Sequence, residues 1–295
     1  MTTATYDGRP IAQTTVFPLP GRTTLGGWNR YIQLYGHFAR TCLLREMMFR
    51  ANSLVRLATH ILWLGLMLAF LNVIFLHTHH IGDWDEPRLM FFVGTYLTLN
   101  ATVNWFFMTG CGRLSELVRT GNLDFELLKP VDEQFLLTCP RIDWALFPQI
   151  LLGLTIAAMA SAEARIALDA ERILVYVSLL ACGVAILYSL LVILAALSVW
   201  TVRHEELYEL WFYLLQFGNY PDDVYRGHHF GTGVRVVLSY VLPILVAVNV
   251  PARYGAMLLD RWQPIVGLVV AAVVSLIASR VFFQVALRSY QGASS

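Results

Sequence analysis

Apolar residues along this chain gather into six blocks, at Leu54–Leu76, Leu89–Thr109, Trp144–Ala162, Ile173–Trp200, Val236–Val250 and Ile265–Ala286. A helix of about 20 largely apolar residues crosses the roughly 30 Å of a bilayer's hydrocarbon core, so the pattern predicts an all-α integral membrane protein with six transmembrane helices. The fourth block is long enough to tilt or to project beyond the bilayer. The fifth is short, carries Pro243 at its centre, and runs into Pro251 and a second apolar stretch, Ala256–Leu259. A kinked helix followed by a short re-entrant element accounts for it, provided neighbouring helices satisfy the carbonyls that proline frees.

Upstream the pattern changes. Between Trp28 and Arg50, the residues Trp28, Tyr31, Ile32, Tyr35, Phe38 and Ala39 recur at helical spacing, with Arg30, Gln33, His37, Arg40 and Arg45 around them. An aromatic face beside an arginine-bearing face suits an amphipathic elbow helix lying at the headgroup boundary. Residues 1–27 are polar and rich in Thr, Pro and Gly, with no apolar core of the length a signal peptide requires. The expected organisation is a disordered cytoplasmic tail over 1–27, an interfacial helix over 28–50, and a permease-like membrane domain over 51–295.

Composition agrees: 57% of residues are hydrophobic and 14% charged, against about 25% charged in a soluble domain. The net charge of +1 points to no nucleic-acid partner. Charge distribution is more informative. With the N-terminus inside, sixteen of the 21 basic residues fall on the cytoplasmic side and five outside, which places both termini in the cytoplasm. The two long connections, 110–140 and 201–235, then face the cytoplasm, where a partner can reach them. His204–Phe217, on the second, reads as an interfacial or partner-contacting helix.

Several chemistries are excluded. The single lysine, Lys129, precedes Pro130, so no Walker A loop exists to hold a nucleotide's phosphates. ATP-driven work must be powered by ATP and Mg on another chain. Neither HExxH, nor GxSxG, nor an intramembrane carboxylate pair is present in the predicted spans. Cys42, Cys111, Cys139 and Cys182 form no CxxC pair and read as free thiols. The first outer loop holds His77, His79, His80, Asp83, Asp85 and Glu86, without a spacing that fixes them on one face. No metal site is expected there or at His228 and His229.

The second block is unusually polar. Thr95, Thr98 and Thr102 share one face, and Asn100 and Asn104 lie on the opposite one. One stripe can face a translocation path while the other acts as interhelical glue worth about 0.6–2 kcal/mol per bond. Both cannot face one cavity.

The run Gly112–Pro130 is the most informative connection. Leu114, Leu117 and Val118 form an apolar stripe on a short helix that Gly121 ends. Asp124 and Glu126 start a second turn near its positive pole. From the residues alone this is either a plug for a partner's groove or a solvated loop packed on its own helices. The stretch Gly121-Asn-Leu-Asp-Phe-Glu-Leu-Leu-Lys-Pro130 resembles the cytoplasmic-loop signature of type-2 ABC transporter permeases, in one of their bacterial export families. Tyr220-Pro-Asp-Asp-Val-Tyr225, Pro243, Val250-Pro-Ala252 and Tyr290-Gln-Gly-Ala-Ser-Ser295 follow in the order that family shows. The resemblance covers roughly residues 50–295. One departure is Lys129 where relatives often carry arginine, which keeps the charge and loses the bidentate fork.

The resemblance implies a permease of the bacterial inner membrane, paired with a second, identical or homologous permease and with two ABC ATPase subunits, and surrounded by membrane lipid. Residues 113–128 would be the coupling helix. Leu114, Leu117 and Val118 would anchor it in the ATPase, and Glu116, Arg119, Asp124, Glu126 and Lys129 would orient it. The second and fifth spans, with Thr95, Thr98, Thr102, Asn100, Asn104 and Pro243, would flank the path. Two alternatives compete: a non-transporting membrane scaffold, and an ion-gradient transporter. The second is disfavoured because the predicted spans hold no Asp or Glu to bind or relay an ion.

Overall fold

The computed structural model describes residues 27–48, 50–78, 80–129, 131–166, 169–201, 205–226, 229–259 and 261–290. The tail expected over 1–27 falls outside these residues except for Gly27, as do 291–295 of the C-terminal motif. Among the described residues the structure is helical, and its one β feature is an isolated bridge between Ile81 and Trp84.

The helices, in chain order, are α1 (Gly27–Met48), α2 (Arg50–Phe75), α3 (Glu86–Val103), α4 (Thr109–Thr120), α5 (Leu123–Leu127), α6 (Glu133–Thr138), α7 (Phe147–Glu163), α8 (Ala170–Thr201), α9 (Glu205–Gln216), α10 (His229–Val236), α11 (Ile244–Gly255) and α12 (Gln263–Ser289). Among the described residues, four straight stretches are long and apolar enough to cross a membrane, namely Leu54–Phe75, Trp144–Glu163, Ala170–Trp200 and Gln263–Ser289, and the bent pair Gly231–Val241 with Ile244–Gly255 makes a fifth if it is one span. The four straight stretches coincide with the first, third, fourth and sixth predicted blocks.

The second block is the central helix of the bundle. Asp85 caps α3 by accepting from the Arg88 N–H, and Pro87 fits its first turn. Buried side chains cover α3 on nearly every side, so it needs less apolarity than a lipid-facing helix. Its contact with α7 is backbone-close. A Cβ on Gly94 would lie 2.7 Å from Ala157 N, and one on Gly153 would lie 2.6 Å from Thr98 Oγ1. Small residues let membrane helices approach this closely.

From Glu86 the helix continues through a π-helical turn at Asn104–Met108 and on through α4 to Thr120, a rod of roughly 50 Å at about 1.5 Å per residue. Aromatic rings gather around that turn. Trp105 lies 5.4 Å from both Trp144 and Phe147, and Phe107 lies 4.5 Å from Tyr188. The helix expected over 28–50 is present as α1, which packs on this belt's edge. Trp144 Nε1 donates to Ala39 O at 3.0 Å, and Tyr35 lies 6.2 Å from Phe106.

The bundle has two ends. One, the loop end, holds residues 121–143. The other, the hairpin end, holds the α2–α3, α7–α8 and α11–α12 connections. The structure adds detail over residues 201–250. The helix read as interfacial or partner-contacting over His204–Phe217, now α9, runs alongside α3. Trp211 Nε1 donates to Asn104 Oδ1 at 3.0 Å, Tyr96 OH donates to Leu215 O at 3.3 Å, and Gly218 packs on Tyr96. The chain then reaches the far end, where a Cβ on Gly82 would come 2.7 Å from Asp223.

The predicted fifth span over 236–250 is bent at Pro243, where the sequence anticipated a kink. Gly231–Val241 and Ile244–Gly255 meet at 88° beside Pro243. Both limbs end at the hairpin end, because Arg235 and Arg253 each bond Asp222. Proline explains the break: Pro243 has no N–H to continue a helix. Pro251, inside α11, frees the Ala247 carbonyl, which sits against Gly183 of α8.

Candidate functional site

The α4 and α5 helices lead into and across the loop end. The α4 helix stops at Gly121, whose φ of +70° is the left-handed cap that the sequence anticipated. After one connecting residue α5 turns back, and its geometry is fixed by one carboxylate. Glu126 accepts from Arg113 at 2.9 Å and from Lys129 at 2.5 Å. Burial pushes the Glu126 carboxyl up, but the Lys129 ammonium and Arg113 guanidinium outweigh it and hold it below its ordinary value. It is therefore ionised at neutral pH, and the clamp is closed. Farther along, Asp132 accepts from the Phe135 N–H at 3.0 Å and pairs with Arg280 of α12. Burial opposes its ionisation too, and the Arg280 bonds more than compensate. The loop is thus tied at its base to the last helix.

The loop's side chains divide differently from the sequence expectation. Leu114 and Leu117 are buried, 1% and 7% exposed, against α6 and α8, and Val118 is half-buried. Their apolar stripe is covered by the chain's own helices. The exposed apolar groups are Phe125 and Leu128, at 70% and 81%. Glu116, Arg119 and Asp124 are exposed around them, and Lys129 lies between rim and clamp. Two bare hydrophobic side chains thus stand on a braced, charged turn. Phe125 and Leu128 lie within the quoted loop stretch, but only their exposure distinguishes them from Leu123, which is fully buried.

The polar stripes of α3 are engaged inside the bundle. Thr95 bonds Phe91 O and shares a 2.9 Å hydrogen bond with Tyr176, while Thr98 and Thr102 donate to Gly94 O and Thr98 O. The Asn stripe faces α9, with Asn104 donating to Asn100 at 2.5 Å and accepting from Trp211. Pro243 stands apart, at the break between α10 and α11. The six residues expected to flank a path are therefore in three places: the Thr face, the Asn face, and the hairpin.

A family model for ABC-2 family transporter protein matches residues 61–294. The chain belongs to that family. It is a type-2 ABC transporter permease, a membrane transport component rather than a catalytic one. No curated protein and no solved structure matches it.

At the other end of this ABC-2 permease lies a site the sequence reading missed. Arg253 of α11 bonds Asp222 at 3.1 Å, Asp223 at 2.6 Å and Asp83 at 3.1 Å, with its guanidinium 5.5 Å from the Trp84 ring. Arg226 pairs with Asp223 at 2.9 Å and Arg235 with Asp222 at 2.7 Å. Asn249 Oδ1 accepts the Asp222 N–H, completing the turn's fastening to α11. Three separate segments meet on Arg253. Among the described residues, no group of three His, Cys, Asp or Glu side chains is placed to hold a metal ion.

Proposed function

We propose that this permease is the membrane half of an ATP-driven exporter, and that α4–α5 is where a separate ABC ATPase grips it. The observation that carries this reading is the pair Phe125 and Leu128, bare at the tip of a turn that Glu126 braces. The ATPase holds ATP and Mg. When its nucleotide sandwich closes it displaces the loop, and the continuous rod from Thr120 back to Glu86 carries that displacement through the bilayer. The Asp132–Arg280 pair conveys the same movement to α12. In this assignment Phe125 and Leu128 take the anchoring role expected of Leu114 and Leu117. Glu116, Arg119 and Asp124 form the polar rim, and Glu126 and Lys129 keep its shape.

The topology that fits has six crossings: α2, α3, α7, α8, α9 and α12. The number matches the sequence expectation, but α9 replaces 236–250 as the fifth. From Asn104 to Glu86, the stretch of α3 beside which α9 and the following turn rise, is about 27 Å at 1.5 Å per residue, close to the hydrocarbon thickness. α10 and α11 form a re-entrant hairpin from the outer face. Arg226 and Arg235 then lie outside, and removing two from sixteen leaves fourteen basic residues inside against seven outside. Both termini stay cytoplasmic, with the chain in the bacterial inner membrane and α1 along its cytoplasmic surface. A second copy or a homologue completes the pathway. The carboxylates at the hairpin end are paired with arginines, which gives no support to an ion-gradient mechanism.

The test is to purify the full chain with the ATPase that accompanies it from its native membrane, and to compare Phe125→Ala/Leu128→Ala. The variant should stay in the membrane and lose the ATPase. Unchanged ATPase retention would refute the grip. An ATPase that remains bound and hydrolyses at the same rate whatever the loop carries would favour a scaffold.

A further inference from the structure

The hairpin end holds a cavity that the export reading does not use. It has a volume of about 930 Å³ and lies between the α10–α11 hairpin, α8 and α12. That is near the upper end of the roughly 300–1,000 Å³ typical of small-molecule sites. Its walls change character along its length. At the outer end stand Asp222, Arg226, Arg235, Asn249, Arg253 and Gln263. Toward the middle of the bundle the wall becomes Ile193, Val246, Val270, Ala271 and Val274. Val270 and Val274 are half exposed, at 55% and 58%, so this part opens sideways from the bundle, where a bilayer would lie.

Charge on the wall is unbalanced. Asp83, Asp222 and Asp223 match Arg226, Arg235 and Arg253 in number, but only Asp222 of the three carboxylates lines the cavity, so its wall presents three guanidinium groups and one carboxylate. A guanidinium carries five N–H donors in a fixed fork suited to phosphate oxygens. Arg226 and Arg235 remain 51% and 37% exposed after pairing with the aspartates, so each keeps donors for a ligand. The α12 helix starts at Gln263, on the same wall, and its positive pole adds to the field.

We infer that this cavity binds a phosphate-bearing amphiphile, a membrane phospholipid with its anionic head on Arg226 and Arg235 and an acyl chain along Val270, Ala271 and Val274. The headgroup supplies the negative charge that the wall lacks. The chain fills the apolar slot that opens sideways toward the bilayer. This site is independent of any ATPase, so it stands or falls apart from the coupling reading.

The experiment is lipid binding by native mass spectrometry on the purified full chain, titrated with phosphatidylglycerol. Saturable binding of phosphatidylglycerol is expected. Arg226→Gln/Arg235→Gln should weaken it at least tenfold, while Arg165→Gln, an exposed arginine in the α7–α8 connection, leaves it unchanged. Should the double variant fail to fold, Ala271→Phe carries the test. It fills the tail slot without touching the arginines and should weaken binding comparably. Wild-type affinity in either folded variant would overturn the site. Displacement of the bound lipid by inorganic phosphate at equal concentration would mean a free-phosphate site and would overturn the lipid assignment. A Val274→Cys cross-link between two copies of the chain would show a protein neighbour in the slot and would equally exclude the lipid.

Discussion

The two ends of this permease spend their charges in opposite ways. At the hairpin end, Arg253 gathers Asp83, Asp222 and Asp223 from two other segments, and its own side chain is 14% exposed. At the loop end, Asp132 ties the base to Arg280, but the pairs that shape the tip are local, with Glu126 closing a turn on Arg113 and Lys129, and Phe125 and Leu128 are left outside. The first arrangement locks distant pieces of chain to one another. The second shapes a small projection and leaves its tip unsatisfied. An end that carries its own partners is built to stay closed. An end that presents bare hydrophobic groups suits the ATPase grip proposed above.

The largest expected effect comes from unlocking the hairpin end. Arg253→Ala leaves the partly buried Asp222 and Asp223 to Arg235 and Arg226 alone and frees Asp83, a loss that approaches the about 3–5 kcal/mol of breaking a buried pair. The variant should give a much lower thermal midpoint and little monodisperse protein on size exclusion. A near-native midpoint would mean that this end is not held by Arg253. Next comes the loop tip. Phe125→Ala/Leu128→Ala should weaken ATPase retention by roughly thirtyfold, as for a pair of interface anchors together worth about 2 kcal/mol. The thermal midpoint should not move, because neither side chain packs in the bundle. A combined loss of stability and binding would place the tip in the core.

A smaller effect separates brace from anchor. Glu126→Gln keeps the shape of the side chain but removes its charge, and should reduce ATPase retention a few-fold. The pH dependence has a definite sign. The folded carboxyl titrates below its unfolded value, so its contribution is complete above the ordinary carboxylate range and is lost as pH falls through the lowered folded value. Acid should therefore loosen the wild-type loop and leave the Gln variant unaffected, as read by limited proteolysis at 121–129. The smallest effect belongs to Asp124→Asn, an exposed rim substitution. It should shift stability by less than about 0.5 kcal/mol and ATPase retention by less than threefold.

Much of this was legible in the sequence. Four apolar blocks became the four long helices, Gly121 ended its helix, and the loop that resembles the permease signature is where the exposed tip and its clamp lie. What the sequence hid has physical causes. The packing of α9 inside the bundle was not legible because this helix has only 12 residues and opens with Glu205 and Glu206. It works beside α3, which is buried and can supply it with Asn104 and Tyr96 as partners. The 88° bend in the 236–250 block is not legible from composition, because a sharply bent segment is as apolar as a straight crossing helix. The stripe of Leu114 and Leu117 announces a buried face but not what buries it. The Arg253 cluster joins residues up to 170 positions apart, and no local spacing signals it.

The central claim is that Asp124 and Val224 lie on opposite faces of the membrane, with α9 crossing between them. In a background without Cys42, Cys111, Cys139 and Cys182, Asp124→Cys and Val224→Cys can be labelled with an impermeant maleimide in intact cells and in inverted vesicles. The account predicts labelling of position 224 from outside the cell and of position 124 only in inverted vesicles. Labelling of both positions from the same side would contradict it.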